Sequence, residues 1–295
     1  MIDSFIEYLE LEKKYSKHTR IAYKNDLLSF QSFIIQEFDQ LDLRSVHYSQ
    51  IRSWIVSLVA ANVTNRSINR KVSSLKSYYK FLQKTSQIEI NPLAKHKALK
   101  SEKRIQNPFS VNEINNVIKL IEENNDFESI RNKLIVELFY STGIRRIELI
   151  DIKLSSINLT EKTIKVLGKR NKERFVPILN SVIKTLQAYL KLREEISSEI
   201  NNLLITSKGN KIYETLVYRI INSYFSKVST KENRSPHLIR HSFATHLLNE
   251  GADLNSVKEL LGHSSLASTQ VYTHNSIEKI RKVYNQAHPR STKKK

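Results

Sequence analysis

Apolar residues return every three or four positions through the N-terminal third of the chain. Tyr23, Leu27, Phe30 and Ile34 make one stripe, and Ile68, Val72, Leu75, Tyr79 and Leu82 make a second. Both spacings predict helices with one face turned to a core. The second helix carries Arg66, Arg70, Ser73, Ser77 and Lys80 opposite its stripe. Basic and hydroxyl side chains together suit phosphate oxygens, and they equally suit an ordinary solvated face.

Asn91-Pro92 ends this helical stretch, because the residue before proline is pushed out of the α region. KHKALKSEKR follows with little periodicity, and Asn107-Pro108 closes it. Ser110 with Glu113 then makes a capping box that opens a new helix. Residues 1–86 therefore read as a helical domain, 87–106 as a basic linker, 107–288 as a second domain and 289–295 as a basic tail. In the second domain, RNKLIVELFYSTGIRRIELI predicts two helices joined at Gly143, a residue suited to a left-handed helix end. KTIKVLGKRNKERFVPI predicts a hairpin. Ile164 and Val166 alternate on one strand, Val176 and Ile178 on the other, with a polar turn between. Helices then resume. The expected fold is mainly α with a small β-sheet in the second domain.

Composition narrows the classes. Hydrophobic residues make up 40% of the chain, which suits a globular protein. No apolar run approaches the roughly eighteen residues that span a bilayer. MIDSFIEYLELEKK lacks a basic-then-apolar signal pattern, so a cytoplasmic protein without a membrane partner is expected. The absence of cysteine excludes disulfides, thiolate zinc sites and cysteine nucleophiles. There is no H-E-x-x-H and no paired-aspartate motif of a two-metal nuclease, so neither a metal nor a cofactor is expected. The formal net charge of +19 favours a polyanionic partner, most often nucleic acid. A lysine-rich background is the other source of such a charge.

Candidate chemistry lies toward the C-terminus. In SPHLIRHSFATHLLNEG, Ser235 and Pro236 suit a helix start and Gly251 a helix end. His237 and Arg240 are three apart and share a face. An arginine fork beside a titrating imidazole suits an anionic ligand. Asp253 can cap a helix carrying Leu254, Val257, Leu260 and Leu261, with Gly262 ending it. His263 would then stand at a helix terminus, with Tyr272 beyond. Taken singly, a histidine or tyrosine of this kind is more often a packing residue.

The combination is more specific. Thr-Gly-Ile-Arg145, His237-x-x-Arg240, Leu-Leu-Gly-His263 and Tyr272, in this order, resemble the tyrosine recombinase or phage integrase family. The resemblance covers nearly the whole chain, and YSKHTRIAYKNDLLSF is similar to the family's core-binding region. It implies a two-domain C-shaped clamp on double-stranded DNA, with a helical core-binding domain and an α+β catalytic domain. It also implies the roles. Arg145 and Arg240 would hold the scissile phosphate. Tyr272 would attack it, giving a 3′-phosphotyrosyl bond and a free 5′-hydroxyl. His237 would move the tyrosine proton, and His263 would hydrogen-bond a phosphate oxygen. Lys169 would protonate the leaving oxygen, and Glu148 would orient Arg145. Arg66, Arg70, Ser73 and Ser77 would touch DNA. The family's turn often reads Gly-Lys-Gly-Asn-Lys-Glu-Arg; here Arg170 replaces the second glycine, and Lys172 is the alternative acid.

Within the family the chain is most similar to the bacterial Xer recombinases. That likeness implies resolution of chromosome dimers at a dif-like site without metal or ATP. The partners would be a second Xer-type recombinase in a heterotetramer and a septal DNA translocase. Ile277, Ile280 and Tyr284 would form the face of a tail helix that docks on a neighbouring protomer. A mobile-element integrase of Xer type, a catalytically silent DNA-binding protein on the same fold and a type IB topoisomerase are the other readings.

Overall fold

The structure, a computed structural model, describes residues 1–101, 106–168, 173–262, 283–284 and 286–291. The chain divides into two compact units, Met1–Ile105 and Gln106–Lys295.

The first unit is built from α1 (Ile2–Leu11), α2 (Lys17–Phe38), α3 (Tyr48–Ala60) and α4 (Asn65–Lys84). Ser16 caps α2 and Thr64 caps α4, each accepting from a backbone N–H three residues on. The two predicted stripes meet in one core with Phe5, Ile51 and Trp54. Phe30 and Trp54 pack edge to face there, ring centres 4.9 Å apart.

The segment after α4, expected as a basic linker, is held to the first unit over much of its length. Leu93 is fully buried in the first unit's core. Asn69 of α4 pairs with Leu99 in both directions: its Nδ2 donates to the Leu99 carbonyl at 2.8 Å and its Oδ1 accepts from the Leu99 N–H at 2.9 Å. Asn65 Nδ2 donates to the Lys100 carbonyl at 2.8 Å. Two side-chain amides one helical turn apart thus satisfy backbone groups of a segment that forms no regular structure of its own. Residues 102–105 lie outside the described residues.

The second unit opens with Ser110 and Glu113 in the reciprocal capping box that starts α5 (Val111–Ile121). Next, α6 (Phe127–Thr142) is buried around most of its circumference. It ends at Gly143, in the left-handed conformation, and α7 (Arg146–Asp151) follows. The predicted hairpin is β2 (Thr163–Leu167) against β3 (Glu173–Pro177), with Ile164 opposite Val176 and Val166 opposite Arg174. A short strand, β1 (Ile157–Asn158), extends the sheet antiparallel to β2 and is not predicted by the alternation pattern. The helices α8 (Asn180–Glu194), α9 (Glu214–Ser226), α10 (Pro236–Asn249) and α11 (Leu254–Leu261) complete the unit. Asp253 caps α11 and left-handed Gly262 ends it, as the sequence predicts. Among the described residues, no helix is long and apolar enough to cross a membrane.

The described part of the C-terminal segment packs on the second unit. Tyr284 is fully buried in its own unit, packed in the same core as α6 and α10. His288 Nε2 donates to the Tyr140 carbonyl at 3.1 Å, while its Nδ1 accepts from the Arg290 N–H at 3.1 Å. Both ring nitrogens are served by a neutral imidazole, and burial lowers its pKa to about 4. Arg290 reaches the buried Glu137 at 3.2 Å. Ile277 and Ile280 lie outside the described residues.

Candidate active site

Gly143 turns the chain between α6 and α7, and the turn delivers Arg145 to the N-cap of α7. Glu148, one turn later, closes a capping box. Its Oε2 accepts from the Arg145 N–H at 2.8 Å, and its Oε1 accepts from Arg145 Nη1 at 2.7 Å. The Arg145 side chain keeps 35% exposure, whereas that of Glu148 keeps 1%.

Arg240 approaches the same point from the second turn of α10 and is buried. Its Nη1 donates to the Gly143 carbonyl at 2.5 Å and its Nη2 to the Leu261 carbonyl at 2.7 Å. Two motifs almost a hundred positions apart in the sequence thus converge. Burial, reinforced by the charge of Arg145, lowers the Arg240 pKa to about 10, so it stays charged at neutral pH.

A third guanidinium completes the cluster. Arg174 of β3 is buried and holds Glu148 with a fork, Nη1 to Oε1 at 3.0 Å and Nη2 to Oε2 at 2.8 Å. Burial alone would raise the Glu148 pKa; the Arg174 fork and the two bonds from Arg145 outweigh it and hold the group at about 2. Sequence reasoning did not single out Arg174. A signal was present, because strand alternation puts Arg174 on the core face with Val176, and a charged residue there needs a partner.

The three arginines also serve the end of α11. The carbonyls of Leu260, Leu261 and Gly262 accept from Arg174 Nε (3.1 Å), Arg240 Nη2 (2.7 Å) and Arg145 Nη2 (3.2 Å) in turn. These are the groups a helix leaves unpaired at its C-terminus, where cations are favoured. Among the described residues, these three guanidinium charges face one carboxylate they bond to, that of Glu148. The surplus is positive, partly buried and shaped from several directions, which is the electrostatic form of a site for an anion such as a phosphate diester.

His237 is exposed in the first turn of α10, three residues before Arg240. His246 is buried and bonded to the Tyr140 hydroxyl at 2.9 Å, a packing role. Lys169, Lys172, His263 and Tyr272 lie outside the described residues. Their nearest described neighbours on each side are Gly168 and Glu173 for the lysines, and Gly262 and Val283 for the other two. On α4, Arg66 and Ser73 are exposed and Ser77 is half-buried. The Ser73 hydroxyl bonds back to the Asn69 carbonyl at 2.8 Å. Arg70 is not simply solvated. It forks onto the buried Asp26 of α2 at 2.6 and 3.0 Å, with 52% of its side chain still exposed.

The comparisons with known proteins identify the family. Residues 107–279 match the Phage integrase family, and residues 2–85 match its N-terminal SAM-like domain. Tyrosine recombinase XerC of Staphylococcus carnosus (strain TM300) is 37% identical over 294 residues, covering 99% of this chain and 98% of that one. Tyrosine recombinase XerC of Anoxybacillus flavithermus (strain DSM 21510 / WK1) is 38% identical over 295 residues, covering 98% of each. Among solved structures, XerH site-specific recombinase bound to palindromic difH substrate shares the fold, with a TM-score of 0.71 and 19% identity over 96% of this chain and 83% of that one. The chain belongs to the phage integrase family and is a tyrosine site-specific recombinase.

Proposed function

We propose that this recombinase cuts and rejoins duplex DNA at a dif-like site through a 3′-phosphotyrosyl bond to Tyr272, and so resolves chromosome dimers in the cytoplasm of a dividing cell. The observation that carries the reading is the cluster of Arg145, Arg174 and Arg240 around the carboxylate of Glu148. The full-length likeness to proteins named XerC supports the chromosomal role, and the XerH structure on difH supports a dif-like target.

In this reading Arg145 and Arg240 neutralise the non-bridging oxygens of the scissile phosphate. An arginine has five N–H donors. Each of these two spends a pair on the described residues, which leaves donors for the ligand. Glu148 keeps Arg145 in place. Tyr272 attacks in line, with His237 moving its proton and His263 bonding a phosphate oxygen. Lys169, or Lys172 in its stead, protonates the departing 5′-oxygen. The covalent bond keeps the phosphodiester energy, so rejoining needs no ATP, and the arginine charge serves where other enzymes use metal ions. Arg66, Arg70, Ser73 and Ser77 contact the DNA backbone. A second Xer-type recombinase completes a tetramer, and a septal translocase brings the sites together.

The test is a nicked suicide duplex carrying a dif-like site. The expected result is a covalent adduct on a denaturing gel that maps to Tyr272. Tyr272→Phe should abolish the adduct and keep duplex binding. Adduct formation by the Tyr272→Phe protein would remove Tyr272 as the nucleophile. Binding without an adduct, even with a partner recombinase added, would favour a silent DNA-binding protein.

A further inference from the structure

Arg174 does something that neither its charge nor its burial requires. All three of its guanidinium nitrogens are engaged, and they join two separate stretches of chain. Nη1 and Nη2 hold the Glu148 carboxylate, and Nε holds the Leu260 carbonyl. Glu148 in turn holds both the backbone N–H and the side chain of Arg145. The guanidinium also lies against Gly262. A Cβ built there would sit 3.0 Å from Arg174 Nη1. Gly262 has φ +64, so the left-handed turn and the packed guanidinium both call for glycine. Gly262 is the residue before His263, and its carbonyl already accepts from Arg145.

We propose that Arg174 is a positioning residue for strand cleavage: it sets Arg145, through Glu148, and the end of α11, through Leu260, in the one relative placement that lets the scissile phosphate meet both clamp arginines. The proposal rests on the phosphotyrosyl reading above. It turns on the planar fork. A lysine at this position would keep a positive charge beside Glu148 but supplies a point charge, without the matched pair of bonds or the third bond to Leu260. The carboxylate would then be held only by Arg145 itself, and the pair would shift together. A structural role makes the opposite demand, since any well-placed cation would neutralise the buried carboxylate.

The experiment compares the unaltered chain with Arg174→Lys and Arg174→Met on a nicked suicide duplex carrying a dif-like site. Three quantities are read: thermal unfolding midpoint, duplex Kd, and single-turnover adduct rate at saturating protein. Arg174→Lys should leave the midpoint and Kd near those of the unaltered chain and slow adduct formation about a hundredfold, the usual penalty for a small misplacement of a reacting group. Arg174→Met is expected to lose the midpoint as well, because it strands the buried carboxylate. In an Arg145→Lys background, adding Arg174→Lys should cost little more, since both changes disable the same group. An unaltered rate in Arg174→Lys overturns the proposal. So does a loss that a lowered midpoint or weakened Kd fully explains, or full additivity with Arg145→Lys. Absence of any adduct from the unaltered chain overturns the phosphotyrosyl reading itself, a separate outcome.

Discussion

Gly143 shows how much of the site rests on a single missing side chain. Its φ of +59 is left-handed, and a Cβ there would lie 2.4 Å from the Phe243 ring and 2.8 Å from Leu261. Its carbonyl is also the acceptor for Arg240. Gly143→Ala should therefore cost about 1 kcal/mol for the backbone and about 1–3 kcal/mol for overpacking, read as a lower urea midpoint. The same substitution should slow adduct formation, because Arg145 follows two residues later. Arg240 could be picked out from spacing, three positions after His237 on one helix face, whereas Arg145 and Glu148 came only through the family resemblance. Arg174 was missed although strand alternation sets it beside Val176, because it sits in GKRNKER among charges that suit a solvated turn. What sets it apart is a partner 26 positions earlier in the chain, and only folding brings the two together.

Helices and strands were the most legible part of the chain, because their signals are local. Ser110 with Glu113, Asp253 with Gly262, and the alternation across Ile164, Val166 and Val176 each fix an element from a few neighbouring residues. The segment after α4 was not legible, since nothing in KHKALKSEKR announces that Asn65 and Asn69 will hold it. Asn69→Ala should strip both bonds from Leu99, at about 1–3 kcal/mol for groups left unsatisfied. Faster trypsin cleavage at Lys97 and Lys100 would report the release. The C-terminal segment carries a pH dependence. The His288 pKa of about 4 lies below its ordinary value near 6.5, so the unfolded chain binds the extra proton between those values. The stabilisation is complete above about pH 6.5 and fades as the pH falls toward 4, by about 3 kcal/mol in all. Unfolding midpoints across that range should drop in the native chain, and His288→Phe should flatten the slope.

Across the whole chain, the motif order was readable while the convergence of the motifs was not. All three arginines of the cluster belong to the second unit, yet they come from β3, α10 and the start of α7, and the carbonyls that receive them from the end of α11. Arg145 and its acceptor at Gly262 are 117 positions apart. A chain emerging from the ribosome acquires its folded parts from the N-terminus onward. It would expose Arg145, Glu148 and Arg174 long before the carbonyls of Leu260, Leu261 and Gly262 arrive to order them, and Tyr272 comes later still. A prematurely terminated chain therefore has a half-built anion site. For a recombinase, a chain stopped before α11 carries the guanidinium charges without the carbonyls that aim them.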